Sequence, residues 1–428
     1  MELFNLKDHA QKVSFSEAVI KGIGHDQGLF FPDRIEPFSN DEIAMLLKLP
    51  LVPRSQRILR HLIGDELPEL EDIVADAFTF PAPLEPVTEN TYCLQLFCGP
   101  TLAFKDFGAR FLARVLGAVR GGRHLTILTA TSGDTGAAVA AAFLDQPGID
   151  VVVLYPKGKI SALQEKLIAT LGHNVRAVEV DGIFDECQDL VKRAFDDEEF
   201  RTRIGLNSAN SINIARLLAQ VTYYFEAAAQ LTEQQRDHLV FSVPCGNFGD
   251  LTAGLIAKAL GLKSRFVIAC NANDTVPRYL ESGRWDPHET IPTLSNAMDI
   301  SRPNNWPRVE ALVKMQGWSL KDFDCGTLGD ERTEQSMREV YAKSGKVIEP
   351  HAAIAWKILE QHLKRGETGV FLGTAHPAKF KQAVDRILGT DIALPEALAQ
   401  RAALPSHATE MKPDYETLKA FVLKELGL

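Results

Sequence analysis

The strongest constraint on this chain is a rhythm along its middle. Short unbroken apolar runs alternate with helical patterns, and a turn separates each pair. Residues 125–130 read as a buried strand, 131–136 as a turn and 137–143 as a helix. A strand at 151–155, a loop at 156–160, a helix at 161–171 and a strand at 175–180 continue the pattern. It returns with a strand at 239–243, a loop at 244–250, a helix at 251–260, and further strands at 266–269 and 369–372. Strands apolar on both faces belong to parallel sheets covered by helices on both sides. The fold class is therefore α/β, with open, mostly parallel sheets. Such sheets gather ligands beyond the carboxyl ends of their strands.

A chain of 428 residues is long enough for two or three domains. Residues 1–95 read as a separate N-terminal region of helices and loops, punctuated by Pro50, Pro53, Pro68, Pro81, Pro83 and Pro86. A small α/β domain spans 121–205. Residues 96–120 and 206–400 form a larger one, and 401–428 a C-terminal helical tail. The proline-rich stretch 271–330 reads as irregular, either loops over a site or plain connections.

Charge and cysteine usage narrow the function. A net charge of -10 argues against a general binder of nucleic acid or anionic membranes, so any phosphate must be held by local groups. Six cysteines without a CxxC fit a reduced, cytoplasmic protein. The first nine residues are too charged for a signal peptide. The longest small-apolar run, 137–144, is far below the roughly 18–20 residues that cross a bilayer. No GxxxxGK[ST], GxSxG or HExxH occurs. The eleven histidines show no metal-ligand spacing with the cysteines, so no metal is expected.

Four segments carry chemistry. In Gly99-Pro100-Thr101-Leu102-Ala103-Phe104-Lys105-Asp106 a turn opens a helix whose apolar stripe is Phe104, Phe107, Phe111, Leu112 and Val115. Lys105 then sits in the first helical turn among aromatics. The helix dipole and poor solvation both disfavour its ammonium form, as an imine-forming lysine requires. Taken alone, the segment also fits a solvated lysine beside an amphipathic stripe. The turns 131–136 and 244–250 each join a strand to a helix and can offer backbone amides to a phosphate. Either could also be a tight turn and nothing more. Residues 207–216 are dense in asparagine and serine and end at Arg216, which suits a phosphorylated or amino-acid ligand. Lys157 and Lys159 could add charge. Thr374 follows another apolar strand, and His376 beside it is a lone loop histidine.

Together these segments suggest a pyridoxal-phosphate enzyme, and their wording resembles the threonine synthase family. The resemblance rests on residues 99–106, Thr131-Ser132-Gly133-Asp134-Thr135-Gly136, 244–250, and Gly373-Thr374-Ala375-His376-Pro377-Ala378-Lys379-Phe380, with 15–19 and 28–32 near the start. It implies the tryptophan-synthase-β-like fold (fold type II), with two open sheets and an N-terminal region. It implies pyridoxal 5'-phosphate as cofactor, and conversion of O-phospho-L-homoserine and water to L-threonine and phosphate. Lys105 is then the covalent attachment point. Gly246, Asn247, Phe248, Gly249 and Asp250 form the cofactor-phosphate loop, and Thr374 lies near the pyridine nitrogen. Ser132, Thr135, Lys159, Ser211, Asn213 and Arg216 are the candidates for the substrate phosphate. Asp134 stands where many relatives of this fold carry an asparagine. A carboxylate cannot donate to the cofactor's phenolic oxygen, so it receives no such role. A monomer or weak homodimer is expected. An eliminase of the same fold acting on threonine or serine, or a non-catalytic member, stays open on this reading.

Overall fold

The computed structural model describes every residue except Ser132. Its largest sheet has six strands, in the spatial order Asp324–Thr327, Arg265–Cys270, Leu239–Pro244, Thr368–Gly373, Thr91–Gln95 and Leu84–Thr88. All neighbours are parallel except the last pair. A second sheet is wholly parallel, in the order Ala408–Met411, Val175–Val180, Ile149–Pro156, Leu125–Ala130 and Leu206–Asn207. A third, antiparallel sheet sets Glu2–Asn5 between Lys12–Ser14 and Phe30–Pro32. Every residue of Leu125–Ala130, Leu239–Pro244 and Thr368–Gly373 is buried, as two helix-covered faces demand.

The strands expected at 125–130 and 175–180 match the observed bounds. Those at 151–155, 239–243, 266–269 and 369–372 each extend by one to three residues. Polar or helix-breaking ends such as Arg265, Thr368 and Pro244 hide the true limits. The helix Ile214–Ala229 is buried along almost its whole length. It packs against the helices Lys105–Val119 and Gly249–Ala259.

Three expectations need correction. The N-terminal region is not only helix and loop. It contains the antiparallel sheet, and a boundary at 95 falls after two strands that belong to the large sheet. The segment 401–428 is not a helical tail. Ala408–Met411 forms the edge of the small sheet, and the helix Tyr415–Leu426 packs on Phe184–Asp196. Residues 271–330 hold the helices Thr275–Ser282 and Trp306–Gln316 and the strand Asp324–Thr327. The strands concerned are only three to five residues long, so pairing with strands elsewhere in the chain decided their outcome. Among the described residues no helix is long and apolar enough to cross a membrane. Among the described residues, too, no group of three or more His, Cys, Asp or Glu could hold a metal, and all six cysteines are free.

Candidate active site

A cavity of about 1340 Å³ opens at the carboxyl ends of strands from both large sheets. Residues after Leu125–Ala130, Leu239–Pro244 and Thr368–Gly373 line it, with walls from Leu6 and Gln27 of the N-terminal region and from Trp285 and Trp306.

Lys105 reaches this cavity because the chain before it is tied down. The buried Asp106 carboxylate accepts from Thr101 N (2.9 Å) and Thr101 Oγ1 (2.6 Å). A Cβ on Gly99 would stand 2.5 Å from Asp106 Oδ2, so this approach requires glycine. Phe104 N donates to Thr374 O at 2.8 Å, and His376 N to Leu102 O at 3.0 Å. These two bonds hold Lys105 beside Thr374, at the first position of Lys105–Val119. Among the described residues Lys105 Nζ has no hydrogen bond and no ion pair. Its nearest aromatic neighbour is the Phe104 ring, 5.7 Å from Nζ to the centroid. Burial pushes its pKa down to about 8, against the upward pull of Asp134 and with help from Lys379 and Arg216. Poor solvation, anticipated from the aromatic surroundings, is thus the leading cause.

The loop 244–250 directs its side chains away from its own backbone. Asn247 Nδ2 donates to Ser211 Oγ (2.7 Å), and Asn247 Oδ1 accepts from Asn304 N (2.6 Å). Asp250 Oδ1 accepts from Tyr223 OH (2.5 Å) and Tyr224 OH (2.7 Å), and Oδ2 has no partner. Burial raises the Asp250 carboxyl to about 6, although both tyrosine hydroxyls favour its charged form. Phe248 is left-handed (φ 60) and no side chain caps Gly249–Ala259, so the first N–H groups of that helix remain available. Gly246 lies so close to the turn above it that a Cβ would be 2.7 Å from Met298 Cα.

Around this centre the expected residues divide. Gly246 to Asp250, Thr374, Thr135, Ser211 and Arg216 all line the cavity. Arg216 is buried; Nη1 donates to Ala209 O and Nε has no partner. Burial pushes its pKa down to about 10. Asn213 does not line the cavity. It caps Ile214–Ala229, accepting from Ala215 N at 3.3 Å, and donates to Val19 O at 3.0 Å. Lys159 is exposed on a turn outside the cavity. The Asn213 side chain is thus committed to the cap and to Val19, and the Lys159 side chain lies away from the cavity. Ser132 lies outside the described residues. His376 Nδ1 accepts from Ala378 N at 3.1 Å and acts as a cap.

Lys379 was not singled out by sequence. Fully buried, its Nζ lies 2.6 Å from Asp134 Oδ1 and donates to Thr101 O at 2.9 Å. The pair holds the Asp134 carboxyl far below its ordinary range despite burial. In the sequence Lys379 looks like any helical lysine, and only the fold brings Asp134 to it.

A family profile described as "Pyridoxal-phosphate dependent enzyme" matches residues 79–374. Profiles for the threonine synthase N terminus and C-terminal part match 4–78 and 352–422. The chain is 61% identical to the threonine synthase of Haemophilus influenzae over 99% of its own length and 100% of that protein. Its fold is similar to the crystal structure of threonine synthase from Escherichia coli, with a TM-score of 0.96, 56% identity, and 99% and 100% of the two chains covered. A PLP-bound threonine synthase from Brucella melitensis matches with a TM-score of 0.91, 34% identity, and 99% and 98% covered. The chain belongs to the threonine synthase family. Its fold is that of the fold-type-II pyridoxal-phosphate enzymes, and its cofactor is pyridoxal phosphate. The residues fit that group. Among the described residues, an unpaired lysine of lowered pKa and an uncapped helix start share one cavity with a Thr374 hydroxyl that has no hydrogen bond.

Proposed function

We propose that the chain converts O-phospho-L-homoserine and water to L-threonine and phosphate, with Lys105 as the group that moves protons. The observation that carries this reading is the free Lys105 amine in the same cavity as the bare 244–250 loop. Pyridoxal phosphate, when bound, supplies an electron sink for charge developing on the substrate carbons. The backbone of Gly246 to Asp250 holds its phosphate through N–H groups and the positive end of Gly249–Ala259. Asp250 contributes through its backbone, because its carboxylate is directed to Tyr223 and Tyr224. Thr374 offers the ring nitrogen a neutral hydroxyl in place of a carboxylate.

As a free amine, Lys105 Nζ would take the proton from the substrate's Cα, pass it on, and only then, neutral again, take one from Cβ; the protons so moved would be returned at Cγ and Cα as phosphate leaves and water adds. A pKa near 8 keeps part of the amine neutral at neutral pH, so it can act as a base without an external partner. Thr135, Ser211 and Arg216, with Ser132, hold the phosphate that leaves from Cγ, and water adds at Cβ. Arg216 suits this role because its Nε is buried and unpartnered. Asp134 plays no donor part, being locked to Lys379. Six free cysteines support a cytoplasmic location.

The test is phosphate release from O-phospho-L-homoserine by the purified holoenzyme, beside the same assay on Lys105→Ala. We expect turnover in the first and a loss of at least about a thousandfold in kcat/KM in the second. Borohydride-fixed label at residue 105 should vanish as well. Ammonia from threonine in place of phosphate from phosphohomoserine would overturn the reading in favour of an eliminase.

A further inference from the structure

Arg308 is fully buried in the helix Trp306–Gln316, and its partners are unusual. All five N–H groups are satisfied, and every acceptor is neutral. Nε and Nη2 donate to Phe30 O at 3.2 and 2.9 Å. Nη1 donates to Ser211 O (3.1 Å) and Asn305 Oδ1 (2.8 Å), and Nη2 to Ile212 O (2.7 Å). Among the described residues it has no ion-pair partner. An uncompensated buried cation is costly relative to an apolar residue of similar size. A clamp of carbonyls alone does not require one.

The surroundings say where the missing negative charge belongs. Ser211 and Ile212, whose carbonyls Arg308 grips, line the cavity. Asn305, which Arg308 orients, donates through Nδ2 to Ser211 Oγ at 3.1 Å. That same hydroxyl accepts from Asn247 Nδ2 in the phosphate-type loop. Asn305 N also donates to Asn247 O at 3.3 Å. Arg216, on the same segment, is a second buried cation without an ion pair. The carboxylates nearby are otherwise engaged: Asp134 by Lys379, Asp106 by Thr101, Asp250 by two tyrosines.

We propose that Arg308 is a positioning residue for a phosphate dianion in this cavity. It fixes the Asn305–Ser211–Asn247 strut and sets an uncompensated positive charge one residue behind the wall. The proposal rests on the reading of this cavity as a phosphate site. Burial pushes the Arg308 pKa down to about 9, which leaves it charged at neutral pH. Its five bonds tie the N-terminal region, the 208–213 segment and Trp306–Gln316 together at the point where the charge is held.

Two phosphates can answer to this charge, that of the cofactor and that of the substrate, and separate measurements distinguish them. For the cofactor, the affinities of apoprotein for pyridoxal phosphate and for pyridoxal are compared in wild type, Arg308→Gln, Arg308→Lys and Asn305→Ala. For the substrate, inhibition of each holoenzyme by inorganic phosphate is measured. In Arg308→Gln at least one of the two phosphate readouts should weaken about tenfold, while pyridoxal affinity stays within about twofold. Arg308→Lys should recover most of that loss, and Asn305→Ala should show about a threefold loss with the charge retained. Equal losses for pyridoxal and pyridoxal phosphate, with unchanged phosphate inhibition, would reduce Arg308 to a structural clamp. So would identical behaviour of the Gln and Lys variants. Should Arg308→Gln fail to fold, wild-type phosphate readouts in Asn305→Ala would overturn the proposal by themselves. Wild-type turnover on phosphohomoserine is scored separately, so the assignment of the reaction can fail without touching this result.

Discussion

Two turns in this protein look alike in sequence and behave as opposites. Both 131–136 and 244–250 follow a buried strand, contain two glycines and open a helix. In the first, Thr131 Oγ1 turns back and accepts from Gly133 N (2.9 Å) and Gly136 N (2.8 Å). In the second, the polar side chains Asn247 and Asp250 reach away to Ser211, Tyr223 and Tyr224. One turn satisfies two of its own amides from within. The other bonds Cys245 N to Ala269 O, leaves the amides of 246–250 to face the cavity, and anchors itself through its side chains. A glycine-rich strand–helix turn can serve as an anion cradle only where its amides are not already taken by its own side chains.

The contrast can be broken at either turn. The largest effect belongs to Gly246→Ala. Its new Cβ would meet the backbone at Met298 Cα and, at 3.0 Å, Ala297 O. The loop must shift, and we expect pyridoxal-phosphate affinity to fall about a hundredfold with a much smaller change for pyridoxal. A spectrophotometric titration checks this. Thr131→Val should do the reverse, lowering stability by about 1–3 kcal/mol through two orphaned amides while cofactor affinity stays within about threefold. Denaturant unfolding measures the first and titration the second.

Asp250→Asn sharpens the comparison through pH. The Asp250 carboxyl is raised in the folded protein to about 6, above the ordinary value near 4 of an unfolded chain. A raised acid favours folding when protonated. That contribution is fully present below about pH 4 and is lost as pH rises through 6. The Asn variant lacks it, so its stability relative to wild type should improve between pH 4 and 7.5, by up to about 3 kcal/mol. Melting curves across that range test the sign. The smallest effect is expected for Lys159→Ala, where KM for phosphohomoserine should change less than about twofold, since that side chain is exposed and outside the cavity.

What could be read in advance follows from how local each signal is. The strands 125–130 and 175–180 were legible because a strand buried on both faces must be apolar throughout. Lys105 was legible because a turn and an aromatic stripe within ten residues define its setting. Asn213 is ambiguous in sequence because a capping asparagine and a ligand asparagine look the same until the helix it caps is seen. Lys379 and Arg308 gave no local signal at all. Their meaning lies in Asp134, Phe30 and Ser211, residues far away in the chain that the fold alone brings near. The strand Ala408–Met411 stayed hidden for the same reason, having one residue in four buried.

That strand has a consequence for how the protein is made. It pairs in parallel with Val175–Val180, yet residues 181–407 come between them, including most of the large sheet. During synthesis the growing chain must therefore leave one margin of the smaller sheet unpaired while the larger one is assembled. Through that interval the open margin is a template for wrong partners, and closing it is a late, long-range event.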